Sequence, residues 1–302
     1  MINFKTVLTL LFISVTLMSC DKRLDDFLFN NDDSISEYKL DNYDGEESLE
    51  VPNNFFVPDN MINQFEFNIE SEGESLDIAA IYTGDINTIQ TDTVIMYCHG
   101  NRDHMDYYWS RQKVYSRLGE LGRYGVLMLD YPGYGLSDGK PTEQNMYDAV
   151  DGGLKWLKEN GLTNDRLVMF GFSLGSAPVC KVAGEQNFSM NPSKIILEAP
   201  FASSEVMVQD AAVLNMPASY FVNVKIDNAE QIKKVNVPLL WLHGENDDFL
   251  SISTHGQVVY DNHQSSWKKA LKVPGAAHET VPTFLGLDKY QEEILNFILD
   301  SE

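Results

Sequence analysis

The sequence predicts an α/β fold: a mostly parallel sheet of eight strands, helices on both faces, and a small lid inserted after the sixth strand. Three observations lead there. Short apolar runs alternate with helix-period segments from residue 93 to residue 299, as strands do when crossover helices bury them on both faces. A hairpin-like pair of alternating runs precedes them, so the sheet opens with an antiparallel pair. Finally, Gly171-Phe172-Ser173-Leu174-Gly175 joins an apolar run to a Gly/Ala-rich segment able to start a helix. Strand, sharp turn, helix is the setting in which a G-x-S-x-G pentapeptide exposes its serine.

Taken in order, the first element is not structural. Lys5 is the only charged side chain ahead of an apolar run over residues 7–18, which ends in Leu17-Met18-Ser19-Cys20. Residues 1–19 read as a secretory signal. The cysteine at the boundary resembles a bacterial lipobox, which implies cleavage before Cys20 and lipid on that residue. Such chains would hold an exported protein on a cell-envelope membrane without a spanning helix. Residues 21–50 carry eleven acids against Lys22, Arg23 and Lys39, so residues 20–56 are expected to form an acidic, solvated tether. Its later part, from about Tyr43, is expected to pack as an N-terminal arm on a domain spanning residues 57–302.

Phe65, Phe67 and Ile69 alternate on one face of a first strand over residues 64–69. Ser71-Glu72-Gly73-Glu74 turns the chain, and residues 76–82 return. Parallel strands are expected at 93–98, 126–129, 167–170, 194–197, 238–242 and 270–273. Helices are expected at 106–121, at 142–159 with Met146, Ala149, Val150, Leu154 and Leu157 inward, after Gly175, and at 287–299. Residues 201–235 break the rhythm with a Met-, Val- and aromatic-rich stretch. In open parallel sheets ligands bind beyond the carboxyl ends of the strands, and an insertion at this point would cover them as a lid.

The chain of 302 residues is 43% hydrophobic and 22% charged, with a formal net charge of -23. That field repels nucleic acid and anionic membrane surfaces. No C-x-x-C or His/Cys cluster suggests zinc, and no cofactor or metal is expected. Cys98 and Cys180 are read as two buried thiols rather than a disulfide.

Serine is a poor nucleophile until a base takes its proton, and an imidazole suited to that role needs a carboxylate to fix its tautomer. Both should follow Ser173, each just past a strand. Asp247 and Asp248 follow the strand at 238–242, and either could be the acid. His278 follows the last strand through a Pro-Gly turn and is the candidate base. The other histidines suit the role less: His99 and His243 precede glycines at strand ends, His255 and His263 are read as surface residues on a helix, and His104 is a candidate site-lining residue. Glu279 is read as surface. An oxyanion needs two N–H donors. Leu174, after the nucleophile, supplies one, and Asn101 of His99-Gly100-Asn101 is the candidate for the other. The Gly-rich loop over residues 130–139 is given a structural role.

Together these segments closely resemble the alpha/beta-hydrolase superfamily. The likeness is greatest to its small-lid serine hydrolases, whose eukaryotic members include protein depalmitoylases. It is carried by His99-Gly100-Asn101, the D-Y-x-G-Y-G-x-S-x-G loop at 130–139, the elbow at 171–175, Glu198-Ala199-Pro200-Phe201, the H-G-x-x-D turn from His243 to Asp247, and Gly275 to His278. It extends over roughly residues 63–299. In H-G-x-x-D the acid of the family is the final Asp, which here is Asp247. Arg102 after Asn101 departs from the H-G-x-P turn of epoxide hydrolases, and Ser173 departs from the Asp and Cys nucleophiles of dehalogenases and dienelactone hydrolases. The resemblance implies a serine hydrolase acting on a small-molecule acyl ester or thioester through an acyl-enzyme. An amidase or peptidase of the same fold is the alternative, and so is a non-catalytic binding lipoprotein. Tyr107-Tyr108-Trp109 and the lid aromatics Tyr220 and Phe221 would suit an apolar acyl group.

Overall fold

A computed structural model describes residues 28–212 and 224–300. Ten strands follow one another along them: β1 (Asn30–Asn31), β2 (Ile62–Ser71), β3 (Glu74–Thr83), β4 (Thr93–Cys98), β5 (Arg102–Asp103), β6 (Tyr124–Leu129), β7 (Leu167–Phe172), β8 (Lys194–Glu198), β9 (Leu239–Gly244) and β10 (Lys268–Val273). Eight of them form one sheet in the order β10-β9-β8-β7-β4-β6-β3-β2. The β2–β3 and β3–β6 pairs are antiparallel and the others parallel. This is the expected sheet, with its hairpin at one edge. From β4 the chain steps to β6 on one side and then returns to β7 on the other. The crevice at this reversal lies beyond the ends of β4 and β7, which is where His99-Gly100-Asn101 and Ser173 emerge.

Alternation along the buried strands feeds two cores. Met96, Met169, Ile195 and Leu239 face helices α2 (Glu143–Glu159) and α3 (Ser176–Gly184). Ile95, Phe170, Ile196 and Leu240 face α1 (Trp109–Ser116) and the C-terminal helix (Leu287–Leu299). The period of two in a strand places successive side chains in opposite layers. Thr142 caps α2 by accepting the N–H of Asn145. The helix expected over 106–121 is shorter, because the chain leaves α1 at Arg117 for a turn containing Gly119 and Gly122, both at positive φ. Cys98 and Cys180 are buried free thiols, and burial pushes both well above the usual thiol range.

The N-terminal region departs from the tether reading. Packing reaches back to Leu28 and Phe29, both buried, rather than to Tyr43. β1 pairs in parallel with β5. Tyr38 donates to Asp130 at 2.6 Å, and the carboxylate of Asp106 accepts the N–H groups of Lys39 and Leu40 at 2.7 and 2.8 Å. Glu46 is buried against Arg111. Acidic composition suggested a solvated strand of chain, whereas several of these polar groups are satisfied by partners distant in sequence. Cys20 and the signal segment at 1–19 lie outside the described residues, as do Tyr220 and Phe221. At the base of the 201–235 insertion, Ser203 bridges Asp227, and the Ser204 N–H donates to Ile226 O.

Candidate active site

The elbow is built by close backbone approach. A Cβ on Gly175 would stand 1.9 Å from the carbonyl oxygen of Cys98, and one on Gly171 would stand 2.5 Å from the Gly175 oxygen. Only glycine lets β7 turn this sharply against the end of β4. Ser173 sits at the apex with φ +50, a strained conformation for a residue with a Cβ. Helix α3 leaves directly behind it.

His278 Nε2 lies 3.0 Å from Ser173 Oγ, and His278 Nδ1 lies 2.8 Å from Asp247 Oδ2. A carboxylate only accepts, so Nδ1 carries the proton and the bare Nε2 faces the hydroxyl. Asp247 is buried, whereas Asp248 faces solvent. Of the two candidate acids, it is Asp247 whose carboxylate meets the His278 imidazole.

The turn around Asp247 supplies most of its own support. Oδ1 accepts the N–H groups of Phe249 at 3.0 Å and Leu250 at 2.7 Å. His243 Nε2 lies 3.2 Å from Oδ2 and 2.9 Å from Leu250 O. Trp241 Nε1 donates to His243 Nδ1 at 3.2 Å, which leaves the His243 proton on Nε2, aimed at these oxygens. Burial works against the charge on Asp247, but hydrogen bonds from His243, His278 and Leu250 outweigh it and hold the carboxyl well below the usual carboxylate range.

Leu174 lies in the first turn beyond the elbow, where backbone N–H groups point out of the helix start. The other candidate donor is set by a residue that sequence reading left as a turn former. His99 Nδ1 lies 2.7 Å from Gly100 O, so it donates to the peptide whose N–H belongs to Asn101. The Asn101 carbonyl in turn accepts the N–H of Asn30 and the hydroxyl of Tyr134, at 3.0 and 3.2 Å.

A cavity of about 620 Å3 opens over the serine. Gly100, Asn101, Tyr108, Phe172, Phe249 and His278 line it, with Asn30, Arg102 and Glu279 at its polar side. Glu279 is therefore part of the site wall, not free surface: Arg102 lies 3.5 Å from it and Tyr107 donates to it at 3.3 Å. His104 does not line the cavity. It is buried between Tyr38 and Tyr43. His255 and His263 are also buried; they cap neighbouring loops by contacts with the Ala202 N–H and the Val237 carbonyl. Burial lowers the His263 imidazole to about 4. Asp130 accepts from Tyr38 and the Met105 N–H, and Ser137 donates to the Asp130 carbonyl, in keeping with a structural role for that loop. Asn30 could not have been found from sequence, since nothing local links it to a loop seventy residues on. No group of residues suited to hold a metal ion occurs among the described residues.

Comparison with known proteins agrees with this architecture. A family profile described as the alpha/beta hydrolase fold matches residues 93–217. The chain has the alpha/beta-hydrolase fold. It is 28% identical over 174 residues to alpha/beta hydrolase domain-containing protein aho-3 of Caenorhabditis elegans, covering 57% of this chain and 48% of that one. It is 28% identical to the uncharacterized protein YfhR of Escherichia coli O157:H7, covering 68% and 70%, and 26% identical to human alpha/beta hydrolase domain-containing protein 17B, covering 68% and 65%. The chain thus spans about half the length of the worm relative and about two thirds of the other two. Among solved structures it resembles the Pyrococcus furiosus esterase Pf2001, with a TM-score of 0.64 at 14% identity over 90% of this chain and 97% of that one. It also resembles a cold-adapted esterase from an Arctic intertidal metagenomic library, with a TM-score of 0.55 at 16% identity over 79% and 95%.

Proposed function

We propose that this chain is a serine hydrolase that cleaves carboxylic esters or thioesters. The hydrogen-bonded row Asp247–His278–Ser173 carries the reading. In it, Ser173 Oγ attacks the acyl carbonyl while His278 Nε2 takes its proton. Asp247, ionised throughout, holds the imidazole in the required tautomer and stabilises the imidazolium. The N–H groups of Leu174 and Asn101 receive the developing oxyanion. His278 then protonates the leaving alcohol or thiol, and water, deprotonated by the same imidazole, releases the acid from the acyl-enzyme. Phe172, Phe249 and Tyr108 offer the cavity an apolar side for the acyl group. In the same reading the chain is exported and anchored through lipid on Cys20. The eight residue-to-residue steps from Cys20 to Leu28 would span at most about 30 Å when extended, so the domain would work close to that membrane.

A fluorophosphonate probe tests the chemistry. The folded chain should label on Ser173, and Ser173→Ala should neither label nor turn over esters, a loss of roughly a millionfold in kcat. Failure of the native chain to label would favour a binding protein instead. Matched ester, thioester and amide substrates separate the activities, and faster cleavage of the amide would make it an amidase. Labelling with radioactive palmitate in a bacterial host tests the anchor: incorporation should vanish in Cys20→Ala.

A further inference from the structure

The loop that presents His278 is held from outside. The carbonyl of Glu279, the residue after the base, accepts Nη2 of Arg111 at 3.2 Å. Arg111 lies on α1 and its side chain is 1% exposed. Its guanidinium carbon stands 4.1 Å from the centroid of the Phe172 ring, and that ring stands 5.3 Å from the His278 ring. One buried cation therefore touches the peptide beyond the base and the aromatic ring beside it. The cation is fixed in turn. Nε donates to both carboxylate oxygens of Glu46, at 2.9 and 2.7 Å, and Nη1 donates to Glu198 at 2.8 Å. Glu198 also accepts the hydroxyl of Tyr290 at 2.6 Å. The proton relay uses none of these groups, and Glu46 belongs to the N-terminal arm.

We propose that Arg111 and Glu46 are positioning residues for His278: the arm, through Glu46, locks Arg111, and Arg111 locks the loop that offers the imidazole to Ser173. The proposal rests on Ser173 and His278 being nucleophile and base. Only arginine suits such a place. Its planar fork serves three acceptors at once while its face lies on a ring, and a lysine ammonium keeps the charge without that geometry. A small displacement of the base matters because proton transfer needs hydrogen-bond reach, and a misplacement of about 1 Å can cost roughly a hundredfold in rate.

A buried ion pair with only a folding role would lower the amount of intact protein. A positioning pair lowers the turnover of each intact site. The test is therefore kcat per site, with sites counted by fluorophosphonate titration in the full chain and a short-chain p-nitrophenyl ester as substrate. Arg111→Lys should lower kcat per titrated site roughly tenfold to a hundredfold, with KM within about threefold. Glu46→Ala should do the same. Glu46→Gln, which keeps the volume and an acceptor for Nε, should recover most of that loss. Wild-type turnover per titrated site in Arg111→Lys and Glu46→Ala overturns the proposal. If Arg111→Lys does not fold, the Glu46 pair decides by the same reading. A native chain that neither labels at Ser173 nor hydrolyses the ester overturns the hydrolase reading, and the positioning proposal falls with it.

Discussion

The two loops that complete the relay are held in opposite ways. The acid turn after β9 is largely self-supporting: Asp247 takes two N–H groups from within three residues, and His243 and Trp241 come from the strand that leads into it. The base loop after β10 is not. Thr280 ties it to itself through the Ala277 N–H, but its other supports are Arg111 from α1, Phe172 from the elbow, and a bond from Thr283 to the Ser48 carbonyl of the arm. A carboxylate that only orients can be fixed by its neighbours in sequence. An imidazole that must reach across from the sheet edge to Ser173 draws its support from several distant elements.

The largest effects should come from within the acid turn. Asp247→Asn should lower kcat roughly ten-thousandfold, by favouring the wrong imidazole tautomer, while Asp248→Asn stays near wild type. The reverse order, read from steady-state kinetics, would reassign the acid. Next, His243→Leu should lower kcat roughly tenfold, because it removes a donor to Asp247 and leaves Trp241 Nε1 without its acceptor, a cost of about 1–3 kcal/mol. The same variant sharpens the comparison through pH. The Asp247 carboxyl is depressed in the folded chain, so its stabilising contribution is present above its ordinary value of 3.8 and is lost as pH falls through the depressed one. His243→Leu lessens the depression, and acid unfolding followed by circular dichroism should begin at higher pH.

Smaller effects should come from the arm. Burial pushes the Glu46 carboxyl up to about 7 against the pull of Arg111, with Glu279 and Glu198 adding to the rise. Between its ordinary 4.5 and about 7 the folded chain binds more protons than the unfolded one, so this group's contribution to stability declines as pH rises through that window. Glu46→Gln should flatten that slope in urea melts taken at several pH values; an unchanged slope would place the titration elsewhere. Smallest of all, Asn30→Ala should alter KM a few-fold with little change in kcat, since its side chain borders the cavity while β1 keeps its backbone bond to Asn101.

The same contrast explains what could be read in the chain. The elbow, the H-G-x-x-D turn and the Gly-x-x-His ending are each contiguous in sequence, so their chemistry-bearing residues can be read locally even where, as in the base loop, the support comes from distant elements. The parallel strands were legible because burial on both faces leaves nearly unbroken apolar runs. Arg111 and Glu46 carry no such mark. One sits at an ordinary helix position, and the other is one acid among eleven in a stretch whose composition signals solvation. His99, His255 and His263 misled for a related reason: next to a glycine or in a short helix, local sequence does not tell a buried imidazole bonded to a distant peptide from an exposed one.

The packed arm also bears on how the protein should be produced and trimmed. A recombinant version begun at residue 57, where the hairpin domain looks self-sufficient, would strip Glu46 from Arg111 and leave a buried cation short of a partner, a defect worth about 3–5 kcal/mol. It would also uncover the cleft wall beside Asn101. Cloning boundaries should therefore fall before Leu28, and an inert shorter version would report the missing ribbon of chain rather than the chemistry of the site.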